Sequence, residues 1–322
     1  MGLSIVRFRN KDCVFWGLLS GETIRVVKGE CATLSEFLDS GIEQAKTVAA
    51  GGGAETVSAK EVELLSPVTR PARIICQGAN YAAHRAESGM DAQRPPFNTI
   101  FSKADSSITG PYSDIVCPPH VRLLDYEIEL GLVIGAEINR PIRITDDNLH
   151  EYVAGLVIAN DVSARDVQIP QGQWLKGKSY RTFCPVGPVL YLWDKEDVPL
   201  IHDLELRLSV NGEVRQQANT NQMLFKPAET LTELSEIMDL SPGDLVLTGT
   251  AGGVAMQLGG DVMEKMLNPV ISGAEKMKLF VESQLNNHRY LKEGDVVRSV
   301  IGSADGRIQL GEQVNKVVSS KS

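Results

Sequence analysis

The apolar positions of this chain fall first into short runs. LSIVRF, CVFWGLL and TIRVV read as strands separated by polar or glycine-containing turns. TLSEFLDSGIEQAKTVAA then takes up helical spacing and stops at Gly51-Gly52-Gly53. Pro67 and Pro71 stiffen the segment that follows, so a boundary is expected there. The pattern predicts a small N-terminal α/β unit over residues 1–66 and a larger domain over 67–322. In the larger part RIICQG, LVIG, GLVIAND, VGPVLYLW, LELRLSVNGEV, DLVLTGT and DVVRSVIG all read as strands. Helical patterns are few, chiefly FKPAETLTELSEIMDLS and a segment near 272–286, where Ser272 and Glu275 have capping-box spacing. Repeated βαβ units need more helices than that, which points to a β-rich α+β domain and away from a Rossmann sheet. Neither Gly78-Ala79-Asn80 nor the glycines near 252–260 make a phosphate loop, and no repeat of solenoid period occurs.

One strand breaks its own pattern. LLDYEIELGLVIG, Leu123 to Gly135, carries Asp125, Glu127 and Glu129 at alternate positions, hence on one strand face. Buried side by side, like charges repel and need a partner. Hard carboxylate oxygens suit Mg²⁺, Mn²⁺ or Ca²⁺, whereas an acidic edge facing solvent needs no ion. A second apolar run, GLVIAND, ends in Asp161, and three carboxylates together leave positions of an octahedral ion free for substrate and water. Arg165 and Gln168 follow at helical spacing; the guanidinium either clamps a substrate carboxylate or balances the acids.

Three further stretches carry reactive groups. His84 and Glu87 in NYAAHRAE are one helical turn apart, the arrangement in which a carboxylate orients an imidazole base, and also a common surface pair. Lys178 stands between Gly177 and Ser179, where backbone and ammonium can approach an anion together. Thr248 and Thr250 lie among glycines after an apolar strand, where hydroxyls and N–H groups can meet a carboxylate.

Composition narrows the class. The 322 residues are 43% hydrophobic and 23% charged, with a net charge of −9 and no basic run, which argues against nucleic acid or anionic membrane as a partner. The five cysteines are scattered without a C-x-x-C pair, as free thiols of a reducing compartment are. MGLSIVRFRN has no apolar signal core, Val6 departs from the myristoylation pattern, and no apolar run approaches a membrane span. A cytoplasmic protein is expected.

Taken in order, NYAAHRAE, FSKADSSITGP, DYEIELGLVIG, NDVSARDVQ, KSYRTFCPVGP, VNGEVRQQANTNQMLF and GDLVLTGTAGGV resemble the fumarylacetoacetate hydrolase family, from about Arg73 to Val317. The resemblance implies a mixed β-roll catalytic domain, a homodimer, and a divalent metal that serves chemistry on 2-oxo acids. It implies a small accessory domain for the N-terminal 66 residues, metal ligands Glu127, Glu129 and Asp161, and a substrate-facing Lys178. It further implies substrate-binding Arg165, Gln168 and Thr250, a catalytic pair His84 and Glu87, and a supporting role for Asp125. The expected activity is metal-dependent hydrolysis of C–C bonds in acylpyruvate-like 2,4-dioxo acids through a metal-stabilised enolate, Mg²⁺ being the expected ion. Oxaloacetate decarboxylation and 2-oxo-alkenoate hydration or isomerisation use the same electron sink. A non-enzymatic 2-oxo acid sensor is the remaining alternative. The chain departs from the family in lacking proline after Thr250 and in placing Arg181 where an acid is usual. It also carries an insert over about 256–290, expected to be helical and to touch the site or a dimer seam.

Overall fold

In the computed structural model, which describes residues 2–284 and 286–320, the three N-terminal runs form the strands Leu3–Asn10, Cys13–Ser20 and Thr23–Val27. They pair antiparallel in sequence order, as tight polar turns between short apolar strands require. The helix that follows, ending in Ile42–Ala49, lays Ala45 and Val48 on this sheet, and Phe37 stacks on Trp16 with ring centroids 4.4 Å apart.

These strands do not form a sheet of their own. Leu3–Asn10 pairs with Leu190–Leu192, in register Leu3 to Leu192 and Ile5 to Leu190. From there one long sheet runs through Val153–Asn160, Ile128–Ile134, Leu245–Leu247, Ile74–Gly78 and Thr99–Lys103. Ile128–Ile134 and Val153–Asn160 are covered on both faces, which explains their near-continuous apolar sequence. A second sheet orders Glu213–Asn219, Leu204–Val210, Val296–Ser303, Gln309–Ser319 and Ile115–Cys117. Leu130, Leu132 and Ile134 enter a core shared with Leu206, Leu208, Val297 and Leu310 of the second sheet. Val133, on the opposite face, joins a core with Trp16, Phe37 and Val157. The chain is thus the strand-rich α+β protein that the apolar pattern predicts.

The 256–290 insert holds two helices, Gly260–Leu267 and Gly273–Gln284, the second packed on the helix Arg165–Gln171. Among the described residues no helix is long and apolar enough to cross a membrane.

Candidate active site

The acidic stretch changes partners midway. Leu124–Asp125 pairs with Ser163–Ala164, whereas Ile128–Ile134 pairs with Val153–Asn160. Two separate jobs follow for the acids. The Asp125 carboxylate turns back to accept from the backbone N–H of Ala255 at 2.7 Å and Met256 at 3.0 Å, and from Arg165 Nε at 2.9 Å. Asp125 therefore roots the insert and holds Arg165. Glu127 and Glu129 converge with Asp161, all three buried, with one oxygen of each within 4.8 Å of the others.

Three cations surround this nest. Arg165 donates through Nη2 to Glu127 and through Nη1 to Gln168 Oε1 at 2.8 Å. Lys178 Nζ donates to Glu127 Oε2 at 2.7 Å and to Asp161 Oδ2. Lys103, fully buried, donates to Asp161 Oδ1 and to the Phe183 carbonyl. Burial disfavours the charge on Glu127, but Arg165 and Lys178 outweigh it and hold its carboxyl below the usual range. Burial likewise opposes the Lys178 charge, and Asp161 with Glu127 more than restores it. Glu129 differs: among the described residues its one hydrogen-bond partner is the Gly249 N–H at 2.7 Å, and burial, Asp161 and Glu127 together push its carboxyl well up.

The four buried acids Asp125, Glu127, Glu129 and Asp161 thus face three cations, and the deficit falls on Glu129. A carboxylate triad short of positive charge and offering only oxygen donors fits a hard divalent cation. Glu127, Glu129 and Asp161 are the residues that would hold it.

The remaining expected residues are reached, with changes of detail. A cavity of about 680 Å³ opens beside the nest and is lined by His84, Glu127, Arg165, Gln168, Lys178 and Thr250. Arg165 spends three of its five N–H groups on Asp125, Gln168 and Glu127, and so fixes Glu127 and Gln168 while lining the cavity. The Thr250 hydroxyl donates to the Ile128 carbonyl at 2.9 Å and accepts from Gln216 Nε2 at 2.8 Å, so it welds its loop to the acidic strand. His84 sits on the helix Ala82–Glu87, buried, its Nδ1 without a hydrogen-bond partner among the described residues. Burial lowers its proton affinity to about 4, so the imidazole is neutral at pH 7. The hydrogen bond expected between Glu87 and His84 is not formed. Both Glu87 oxygens accept instead from Gly253 N–H, at 2.9 and 2.8 Å, and burial raises the Glu87 carboxyl despite this bond.

Gly253 is the residue that the sequence signals least. Its φ of +104° is open to glycine, and a Cβ there would meet the Arg215 carbonyl oxygen at 1.9 Å. Its carbonyl accepts from Arg289 Nη2 at 2.7 Å and Tyr126 Oη at 3.2 Å. One residue thereby ties the His84 helix, the Thr250 loop and the far end of the insert. Lys103 also escaped the residue-by-residue reading, although it ends an apolar strand in FSKAD much as Asp161 ends GLVIAND.

Known proteins share this architecture. The C-terminal domain of fumarylacetoacetate (FAA) hydrolase matches as a family over residues 73–318. The rat oxaloacetate tautomerase Fahd2a, mitochondrial (Rattus norvegicus), is 44% identical over 228 residues, 70% of this chain and 70% of the relative. The human oxaloacetate tautomerase FAHD2A, mitochondrial (Homo sapiens), is 42% identical over 229 residues, again 70% of each. Among solved structures, the fumarylacetoacetate hydrolase of Exiguobacterium antarcticum aligns with a TM-score of 0.75 at 30% identity, over 99% of this chain and all of that one. The 2-hydroxyhepta-2,4-diene-1,7-dioate isomerase of Mycobacterium marinum aligns at 0.69 with 26% identity, over 99% of this chain and 100% of that one. With the family matched over most of its length, this chain belongs to the fumarylacetoacetate hydrolase family of enzymes.

Proposed function

We propose that the protein interconverts the keto and enol forms of a 2-oxo acid of the oxaloacetate class, with a divalent cation, Mg²⁺, between Glu127, Glu129 and Asp161. The observation that carries this reading is a cation-seeking carboxylate nest opening on the same cavity as a neutral imidazole whose Nδ1 has no hydrogen-bond partner among the described residues. When bound, the cation supplies positive charge against the negative charge that develops as a 2-oxo acid enolises. His84, neutral at pH 7, takes a proton from the carbon beside the 2-oxo group while the 2-oxo oxygen takes one from solvent to complete the enol, and both transfers run backwards in ketonisation. Lys178 has three N–H bonds. Two serve Glu127 and Asp161, which leaves one for an anionic substrate oxygen. The names of the rat and human relatives support the same chemistry.

Acylpyruvate hydrolysis, the activity expected from the family resemblance, is the second reading. It needs His84 oriented to activate water, and the acid meant to orient it is engaged with Gly253. Enolisation needs no positioned water, so it is favoured. The test follows oxaloacetate enol loss by ultraviolet absorbance and pyruvate release in parallel, with Mg²⁺ and with a chelator. Expected is metal-dependent ketonisation that outruns pyruvate formation. Acylpyruvate cleavage without enol–keto turnover would sink the proposal. Relatives named as mitochondrial stand beside the expected cytoplasmic location, which subcellular fractionation decides.

A further inference from the structure

One cavity of this acidic chain is basic. It measures about 370 Å³ and lies between the strand Leu3–Asn10, the segment 66–70 and the stretch 108–113. Arg7, Arg9 and Arg70 line it, no Asp or Glu does, and it shares no lining residue with the cavity of His84. Alternation puts Arg7 and Arg9 on the strand face of the buried Ile5, while Val6 and Phe8 enter the opposite core. Arg9 has a counter-ion in Glu63, on the paired strand Glu63–Leu65. Arg7 has none. Its side chain makes no hydrogen bond or ion pair among the described residues, and its Nε is buried without an acceptor. Burial, and then the Arg9 charge, draw the proton affinity of Arg7 below the ordinary guanidinium value. Arg70, exposed, is likewise unpaired among the described residues. Hydroxyls add donors to this lining. Thr69 Oγ1 accepts from the Leu34 N–H at 2.7 Å, which leaves its O–H to donate. The hydroxyls of Thr109 and Ser113 make no hydrogen bond among the described residues. A guanidinium stripped of water and given no acceptor is costly, and an anionic ligand is what would relieve it.

We infer that Arg7, Arg70 and the hydroxyls of Thr69 and Thr109 bind a small phosphate monoester, at a site separate from the one that does the chemistry. A phosphate monoester brings close to two negative charges and three acceptor oxygens on one group. Two guanidinium forks with hydroxyl donors beside them match that group better than they match a carboxylate. Phosphate alone would fill less than half of the space. The cavity takes about twelve non-hydrogen atoms, at the roughly 30 Å³ that each occupies in a liquid. The remainder is walled by Ala32, Leu65, Val68 and Ile108, so the ester carries a short organic arm against an apolar surface. Its partners come from three separate stretches of chain, and a ligand that binds only their folded arrangement stabilises it by mass action. The inference stands apart from the enolisation proposed above.

The test is isothermal titration calorimetry of the full chain in EDTA, so that no divalent cation draws the probe to the carboxylate nest. The probes are glycerol 3-phosphate, inorganic phosphate and succinate. Expected is saturable binding of glycerol 3-phosphate, about tenfold tighter than succinate, the worth of one charged hydrogen bond. Arg70→Gln, at an exposed position, should weaken that binding by about tenfold. Arg7→Met should weaken it at least as much in a protein of unchanged circular dichroism, and if that variant does not fold, Arg70→Gln carries the test. Arg307→Gln, which removes an exposed arginine paired with Asp305, should leave binding unchanged. No saturation at millimolar ester, or equal weakening by Arg307→Gln and Arg70→Gln, would overturn the site. Succinate binding as tightly as the ester would overturn the phosphate assignment, and inorganic phosphate binding as tightly would overturn the organic arm. Each of these outcomes leaves the proposed function standing.

Discussion

At the inner end of the cavity almost every ionised group touches another. Glu127 meets Arg165 and Lys178, and Asp161 meets Lys178 and Lys103. At the outer end Met263, Leu267 and Lys276 line the cavity with no polar side-chain contact among the described residues. The inner end is over-determined, since moving one side chain breaks several charged hydrogen bonds in a low-dielectric setting. The outer wall is tied down at its roots, through Asp125 and Arg289, and carries no charged hydrogen bond at Met263, Leu267 or Lys276 among the described residues. Chemistry demands placement to fractions of an ångström, which the inner end supplies.

Four substitutions or conditions bear on that contrast. The largest effect is expected from Glu129→Gln, which removes the carboxylate that lacks a protein cation. Enolisation should fall by about 10²–10³, the range for one lost electrostatic stabiliser. Thermal scanning should find the cation-free variant at least as stable as wild type, with the Mg²⁺-induced rise in Tm gone. A variant that is clearly less stable without cation breaks the charge-deficit argument.

Next comes Gly253→Ala, which drives a methyl into the Arg215 carbonyl and frees the Glu87 carboxylate. A loss of about 3 kcal/mol in urea denaturation is expected, from overpacking and backbone strain together. A change under about 1 kcal/mol, the scale of a compatible glycine replacement, would show the loop to be slack.

A smaller effect concerns His84, whose proton affinity drops from 6.5 to about 4 on folding. The folded state binds fewer protons in that window, so the stability tied to the neutral imidazole is present above about pH 6.5 and is lost as pH falls toward about 4. Wild type should lose urea resistance more steeply than His84→Gln across that interval. Parallel curves would show that the imidazole protonates freely in the fold.

The smallest effect belongs to Leu267→Ser at the outer wall. Leu267 is 74% exposed, so stability should stay within about 0.5 kcal/mol. A larger loss in urea would mean that the outer wall is as tightly determined as the inner end.

Much of the strand plan was legible. TIRVV became Thr23–Val27, and GLVIAND became most of Val153–Asn160, because period and β-branched content are local properties. Gln309–Ser319 went unread because its inward positions include the buried polar residues Gln313 and Asn315. Those two donate to backbone carbonyls, Gly187 and Ser113, so the strand buries amides where a strand pattern expects apolar groups. At the site, alternation grouped the acids correctly but placed Asp125 with its neighbours. A switch of strand partner near Tyr126 turns it elsewhere, and pairing partners are not written in a single strand. The Glu87 to Gly253 bond spans 166 positions in the chain and left no trace in the local spacing around His84.

The pairing of Leu3–Asn10 with Leu190–Leu192 closes one border of the long sheet. A shortened chain starting near residue 67 would leave Leu190–Leu192 as an open sheet border, with unpaired N–H and carbonyl groups beside the buried Leu190, Tyr191 and Leu192. Exposed apolar borders of that kind recruit strands from other molecules. In the full chain Leu3–Asn10 covers that border.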